Sequence, residues 1–158
     1  LKLHHLINFN FSEFVKLLIG KNKFVGATYY IGKVKTGHSE KTKIMHANQQ
    51  RLFAYLKKHH IKYSLGYLLK SDGKFHEKGV DVNMAVDILV ATYENLCDHI
   101  ILVSSDTDLL TVIKKSKDKG KSIDYFGFSH SPSLAMIANC SESRLLRKDE
   151  LIPFISKK

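Results

Sequence analysis

The sequence predicts an α/β fold whose largely parallel sheet is covered by helices on both faces. Two observations predict it: helix-like and strand-like segments alternate along the chain, and several of the strand-like runs are short and apolar. A third bears on size. The chain has 158 residues, 44% of them hydrophobic, and only two prolines. That is enough for one compact core and short for two, so a single domain over residues 1–158 is expected.

The elements follow in order. "FSEFVKLLIG" reads as a helix capped by Ser12, with Phe14, Leu17 and Leu18 near one face and Gly20 ending it. "FVGATYYIG" reads as a strand rich in aromatic and β-branched residues. The basic loop "KVKTGHSEKTK" leads into a helix on which Met45, Leu52, Phe53 and Leu56 keep helical spacing. In "IKYSLGYLL", Ile61, Tyr63, Leu65, Tyr67 and Leu69 alternate, which predicts one continuous strand, and "KSDGKFHEKG" reads as a polar loop. "VDVNMAVDILVATYENL" reads as a helix, "HIILV" as a short buried strand, and "LLTVIKKSKDKG" as a helix stopped by Gly120. The strand "SIDYFGF" follows, then a helix with Ser131 as N-cap and Pro132 in its first turn. The tail "LLRKDELIPFI" adds a short strand or turn.

Composition narrows the partners. Lys and Arg number 25 against 15 Asp and Glu, a formal net charge of +10, which attracts polyanions and makes nucleic acid the leading partner. A merely solubilising lysine surface gives the same count. Cys97 and Cys140 lack the spacing of a structural zinc site and read as free thiols of a reducing compartment. The adjacent pairs His4-His5 and His59-His60 suit joint chelation poorly, so the histidines read as structural or solvated. No segment is long and apolar enough to span a membrane, and no signal peptide opens the chain; a cytoplasmic location is expected.

Chemistry concentrates in "ILVSSDTDLL", residues 101–110, where an apolar strand ends in Asp106 and Asp108. Ligands of parallel α/β sheets gather beyond the carboxyl ends of the strands, which is where these acids should stand. Helix capping accounts for one aspartate; the second adds repulsion that a hard divalent cation would relieve. On spacing alone the two explanations are evenly matched. Upstream, Asp81 and Asp87 of "KGVDVNMAVDIL" sit among Val80, Val82, Ala85, Val86, Ile88 and Leu89. Acids in such company read as buried, and buried carboxylates need a partner or a metal. Six residues apart, they do not share one helical face at about 100° per residue. Capping by Asp81 and pairing of Asp87 with a lysine are the plainer alternatives.

"KGVDVNMAVDIL", then "ILVSSDTDLL" with Asp106 19 residues after Asp87, then "KKSKDKGKSIDYFGF", resembles the NYN domain, the LabA-like branch of the PIN-like nuclease superfamily. The likeness runs from "FVGATYYIG" to "LAMIANCSESRLLRKDEL". It implies a Rossmann-like three-layer sandwich with a mainly parallel central sheet. It also implies an acidic site binding Mg²⁺ or Mn²⁺ and, as in many relatives, metal-dependent ribonuclease activity. Within it Asp87 matches the helix acid, Asp106 the acid at the strand end, Asp108 the one just beyond, and Asp81 the acid of the Lys-Gly-x-Asp element. Lys78 and Ser104 fall where the family has a lysine and a serine, and are expected to contact phosphate or support the acids. The family's first strand, ending in a hydrophobic-Asp-Gly-x-Asn type motif, is expected ahead of Leu1, where the sequence opens without a methionine.

The implied mechanism is phosphodiester hydrolysis at a carboxylate-bound metal, with no covalent nucleophile. Lys33, Lys35, Lys41 and Lys43 after one strand, and Lys70, Lys74 and Lys78 after the next, would hold a phosphate backbone while Tyr67 or Phe75 stacks a base. Lys114, Lys115, Lys117 and Lys119 belong to the surface. RNA, single-stranded or structured, is the expected partner, with no membrane and with a homodimer as the assembly to test. Two other functions compete. One is a catalytically weak NYN-type module that binds RNA or protein. The other, suggested faintly by "DTDLL", is a phosphotransferase of the haloacid-dehalogenase type, for which too little chain follows Asp108.

Overall fold

In the computed structural model, residues 6–34, 39–72 and 74–155 are described, except for the Lys74 side chain. They form a mixed α/β protein with parallel sheets. Contacts divide the chain into two compact units: one takes residues up to Leu17, Gly26–Asn83 and Phe154 onward, the other Leu18–Val25 and Met84–Pro153.

The first unit takes most of α1 (Phe11–Ile19). Its cap is Asn10, whose Oδ1 accepts from the Glu13 N–H at 3.2 Å; Ser12, expected to cap, lies inside the helix with its hydroxyl 2.5 Å from His59 Nδ1. Phe9, Phe11 and Phe14 bury their rings edge to face, with centroids 5.1 and 5.2 Å from that of Phe9. Strand β1 covers only Thr28–Ile31, since the preceding Phe24 and Val25 are exposed and outside any ladder. It pairs in parallel with β2 (Lys62–Leu65), and the crossover helix α2 (Glu40–Lys58) is capped by Ser39. This helix buries Leu52, Phe53 and Leu56, while Met45, expected on that face, is exposed.

Two expectations fail after β2. The continuous strand breaks at Gly66, where a Cβ would stand 2.7 Å from the Lys78 carbonyl oxygen. The "polar loop" is mostly an antiparallel hairpin, β3 (Tyr67–Ser71) with β4 (Lys74–Lys78), its turn starting at Asp72 with φ +51°. Backbone pairing needs no apolar alternation, so a hairpin solvated on much of its surface leaves little pattern in the sequence.

The second unit takes most of α3 (Val80–Tyr93) and a three-stranded parallel sheet in the order β5 (His99–Leu102), β6 (Ser122–Phe128), β7 (Glu142–Leu146). Thr107–Leu109 forms a 3-10 turn that runs into α4 (Leu110–Asp118), which connects β5 to β6, and α5 (Leu134–Asn139) connects β6 to β7. Ser133 caps α5 by accepting from the Met136 N–H at 3.4 Å, so the cap lies two residues past Ser131. The tail supplies β7 and then α6 (Lys148–Leu151). Ile88, Leu102, Leu109, Ile113, Ile123, Tyr125 and Met136 make the core, each aliphatic side chain contributing about 1.5–3 kcal/mol by burial. Among the described residues no helix is long and apolar enough to cross a membrane.

Candidate functional site

Strand β5 buries Leu102 and then delivers "VSSDTD" past its carboxyl end. Asp106 turns extended backbone into the 3-10 turn, and its Oδ1 accepts from the Asp108 N–H at 2.9 Å. Capping is therefore one function of Asp106, as its placement after the strand predicts. Its backbone N–H donates to Ser104 Oγ at 3.3 Å, which makes Ser104 a local brace of the turn. Asp106 is half-buried, whereas Asp108 is exposed and its carboxylate is not needed for the cap.

The turn is pinned from below. Ser105 Oγ lies 2.9 Å from Tyr125 Oη, and the Ser133 N–H donates to the same oxygen at 3.2 Å. Tyr125 is fully buried on β6, and its hydroxyl passes over Gly127, where a Cβ would collide with it. Leu109 and Ile113, also fully buried, hold the far side of the turn in the core. Sequence reasoning missed Tyr125. Its one signal was a tyrosine two residues before a glycine in a strand.

The other acids stand differently from expectation. Asp81 and Asp87 are exposed, not embedded. Apolar neighbours in sequence did not bury them because α3 carries apolar residues on its solvated side as well, with Val82, Val86 and Val90 exposed. Ile88 fixes one face of α3 in the core, which leaves the adjacent Asp87 at the surface. Asp81 lies in the first turn, in the other unit. There Asn83 Nδ2 donates to the Leu65 carbonyl at 3.1 Å and tethers the start of the helix to the end of β2. Asn83 is a second positioning residue that sequence reasoning missed.

Of the basic residues, Lys33, Lys41, Lys43, Lys70 and Lys78 are exposed. Lys35 lies outside the described residues, and Lys74 is placed only by its backbone in β4. Lys33 sits just past β1 in a segment clamped by the buried Gln49: its Nε2 donates to the Gly32 carbonyl at 2.7 Å, and its Oε1 accepts from the Val34 N–H at 3.0 Å. Lys114 and Lys115 of α4 and Lys119 just after it are exposed as expected, but Lys117 is half-buried and donates to the Asn139 carbonyl at 2.7 Å. The histidines are structural where contacts define them, His59 on Ser12 and His99 within 2.7 Å of Asp124 Oδ2, an ion-pair distance without hydrogen-bond alignment. Cys97 and Cys140 are free thiols, and burial raises the pKa of Cys140.

The carboxylate oxygens of Asp106 and Asp108 are the hard donors that Mg²⁺ and Mn²⁺ prefer. Asp106 commits Oδ1 to its cap, leaving Oδ2 and the Asp108 carboxylate. Among the described residues no three His, Cys, Asp or Glu side chains are grouped to hold an ion, so the donor chemistry fits and the donor number does not.

In a parallel α/β protein, ligand-binding groups gather beyond the carboxyl ends of the strands, and Asp106 and Asp108 stand at such an end. The NYN domain model matches residues 2–146, and the chain belongs to the NYN family. Membership points to a nuclease-like function of the PIN kind, in a family whose nucleases typically use divalent metals. The crystal structure of a Vibrio parahaemolyticus protein of unknown function shares the fold, with a TM-score of 0.67 and 21% identity over 94% of this chain and 83% of that one. None of the curated proteins compared matches the chain.

Proposed function

We propose that the protein is a metal-dependent ribonuclease that hydrolyses phosphodiester bonds at the carboxyl end of β5. The observation that supports this best is the braced turn, which presents a half-buried Asp106 and an exposed Asp108 together, one more carboxylate than a cap requires. Asp106 through Oδ2 and Asp108 would be the ion's carboxylate ligands from this turn, with Asp87 of α3 as the further acid that the family resemblance nominates. When bound, a divalent ion supplies the positive charge that activates water and stabilises a leaving oxygen. The chain's own contribution is to fix Asp106 through Ser104 and, through Ser105, Tyr125, to keep the turn from rearranging as charge changes. Lys33, Lys35, Lys74 and Lys78 would hold the phosphate backbone.

The test uses the full-length protein, labelled single-stranded RNA and Mn²⁺, beside Asp106→Asn and Asp87→Asn. Asparagine caps as well as aspartate, so Asp106→Asn removes charge while keeping the turn. Cleavage should fall at least about a hundredfold in Asp106→Asn. Equal cleavage by all three proteins excludes this site. A second reading, an NYN module that binds RNA or a protein without cutting, is favoured by the absence of a three-acid group among the described residues. RNA binding without Mn²⁺-dependent cleavage would select it.

A further inference from the structure

We infer that one face of the β3–β4 hairpin is a stacking platform for single-stranded RNA; this rests on RNA being the partner of the protein. Register sorts the hairpin's side chains. Tyr67 pairs with Lys78 and Leu69 with His76, so these four share a face, while Leu68, Lys70, Phe75 and Glu77 share the other. Over these four residues the face carries a lysine, a histidine and two large apolar side chains; the acid Asp72 lies at the turn end, accepting from Ser71 Oγ at 3.2 Å. The hairpin's glutamate turns the opposite way: Glu77 lies over Gly32 and Gly66, where a Cβ at Gly32 would stand 2.6 Å from its Cγ.

Tyr67 is 60% exposed and Leu69 51%, a large apolar presence on one face of a two-stranded hairpin. Tyr67 is also held in place. Gly79 follows β4 with φ +86°, and a Cβ there would stand 2.7 Å from Tyr67 Cε1, so the ring leans on bare backbone. Glycine at 79 thus serves both the left-handed turn into α3 and the seat of the ring. An exposed aromatic ring with fixed orientation, beside a cation and away from acids, suits a base with its phosphate, since every base has a flat face. In a protein of net charge +10 the long-range field favours a polyanion over a neutral or basic peptide.

The experiment measures binding of a fluorescent twelve-nucleotide single-stranded RNA and its duplex by polarisation, in chelator so that no cleavage occurs, using the full-length protein. Tyr67→Ala should weaken single-strand binding about tenfold and Tyr67→Phe less than about twofold. Lys78→Gln should lower the salt slope by about one. Circular dichroism verifies that each variant is folded. The platform is overturned by equal binding of Tyr67→Ala and wild type, by equal losses in Tyr67→Phe and Tyr67→Ala, by a preference for duplex, or by no RNA binding at all, which would leave a protein as the occupant of this face. Absent Mn²⁺-dependent cleavage with these binding results intact would refute the hydrolase assignment and spare the platform.

Discussion

Around Asp106 side chains fix the backbone, whereas in the β3–β4 hairpin the backbone fixes the side chains. The strand-end turn is held by a buried tyrosine hydroxyl, two serines and the core residues Leu109 and Ile113. The hairpin is held by its ladder, with Tyr67, Leu69 and Phe75 facing water. A group that must meet a reacting bond tolerates little displacement, while a surface that receives a flexible strand can spend apolar area outside the core. Rigidity and exposure are thus divided between the two places.

Gly127→Ala sets a methyl against the Tyr125 hydroxyl and should cost about 1–3 kcal/mol in urea unfolding, with loss of cleavage beyond the fraction unfolded. A neutral result would mean the strand-end turn is as forgiving as the hairpin. Tyr125→Phe removes one oxygen and strands Ser105 and the Ser133 N–H; about 1–2 kcal/mol of stability should go, together with about tenfold in cleavage rate. Tyr67→Ala, by contrast, should leave stability within about 0.5 kcal/mol, and a larger loss would show that the hairpin needs its ring to fold.

How much of this was legible follows from what each feature is made of. Strands β5 and β6 and helices α2 and α4 could be read from runs of buried apolar residues, because burial leaves a periodic trace. The hairpin could not, since its pairing is backbone to backbone and much of its surface is polar. Asp106 and Asp108 were legible as the acids that follow a strand, and spacing alone left capping and metal binding evenly matched. Tyr125, Gln49 and Asn83 act through contacts with partners 8 to 20 residues away along the chain, which no local pattern encodes. Asp81 and Asp87 were misread because apolar sequence neighbours were equated with burial, and α3 is apolar on its wet side too.

Smaller effects sharpen the contrast through ionisation. Glu150 accepts from the Arg147 N–H at 2.9 Å and from Arg144 at 2.7 Å, which together lower its pKa below the usual glutamate range. The native state then binds its proton less readily than the unfolded chain does. The contribution is present above the ordinary glutamate pKa and fades as pH falls toward the depressed native value. Glu150→Gln should lower the Tm at pH 7 and flatten that acid limb of a Tm-against-pH plot. The raised pKa of the buried Cys140 makes a chemical counterpart: iodoacetamide should modify the half-buried Cys97 first, and equal rates would show the second unit's core opening freely.

Gln49 has a consequence of another kind. Its amide carries the same carbonyl and N–H that a neighbouring peptide would, and it meets Gly32 and Val34 as one rung of a ladder with no strand behind it. Order in the segment bearing Lys33 is therefore held by a single side-chain amide. Gln49→Glu would keep an acceptor for Val34 and turn the contact with the Gly32 oxygen into repulsion. The variant would show it as faster hydrogen exchange at Val34 while the core amides kept their protection.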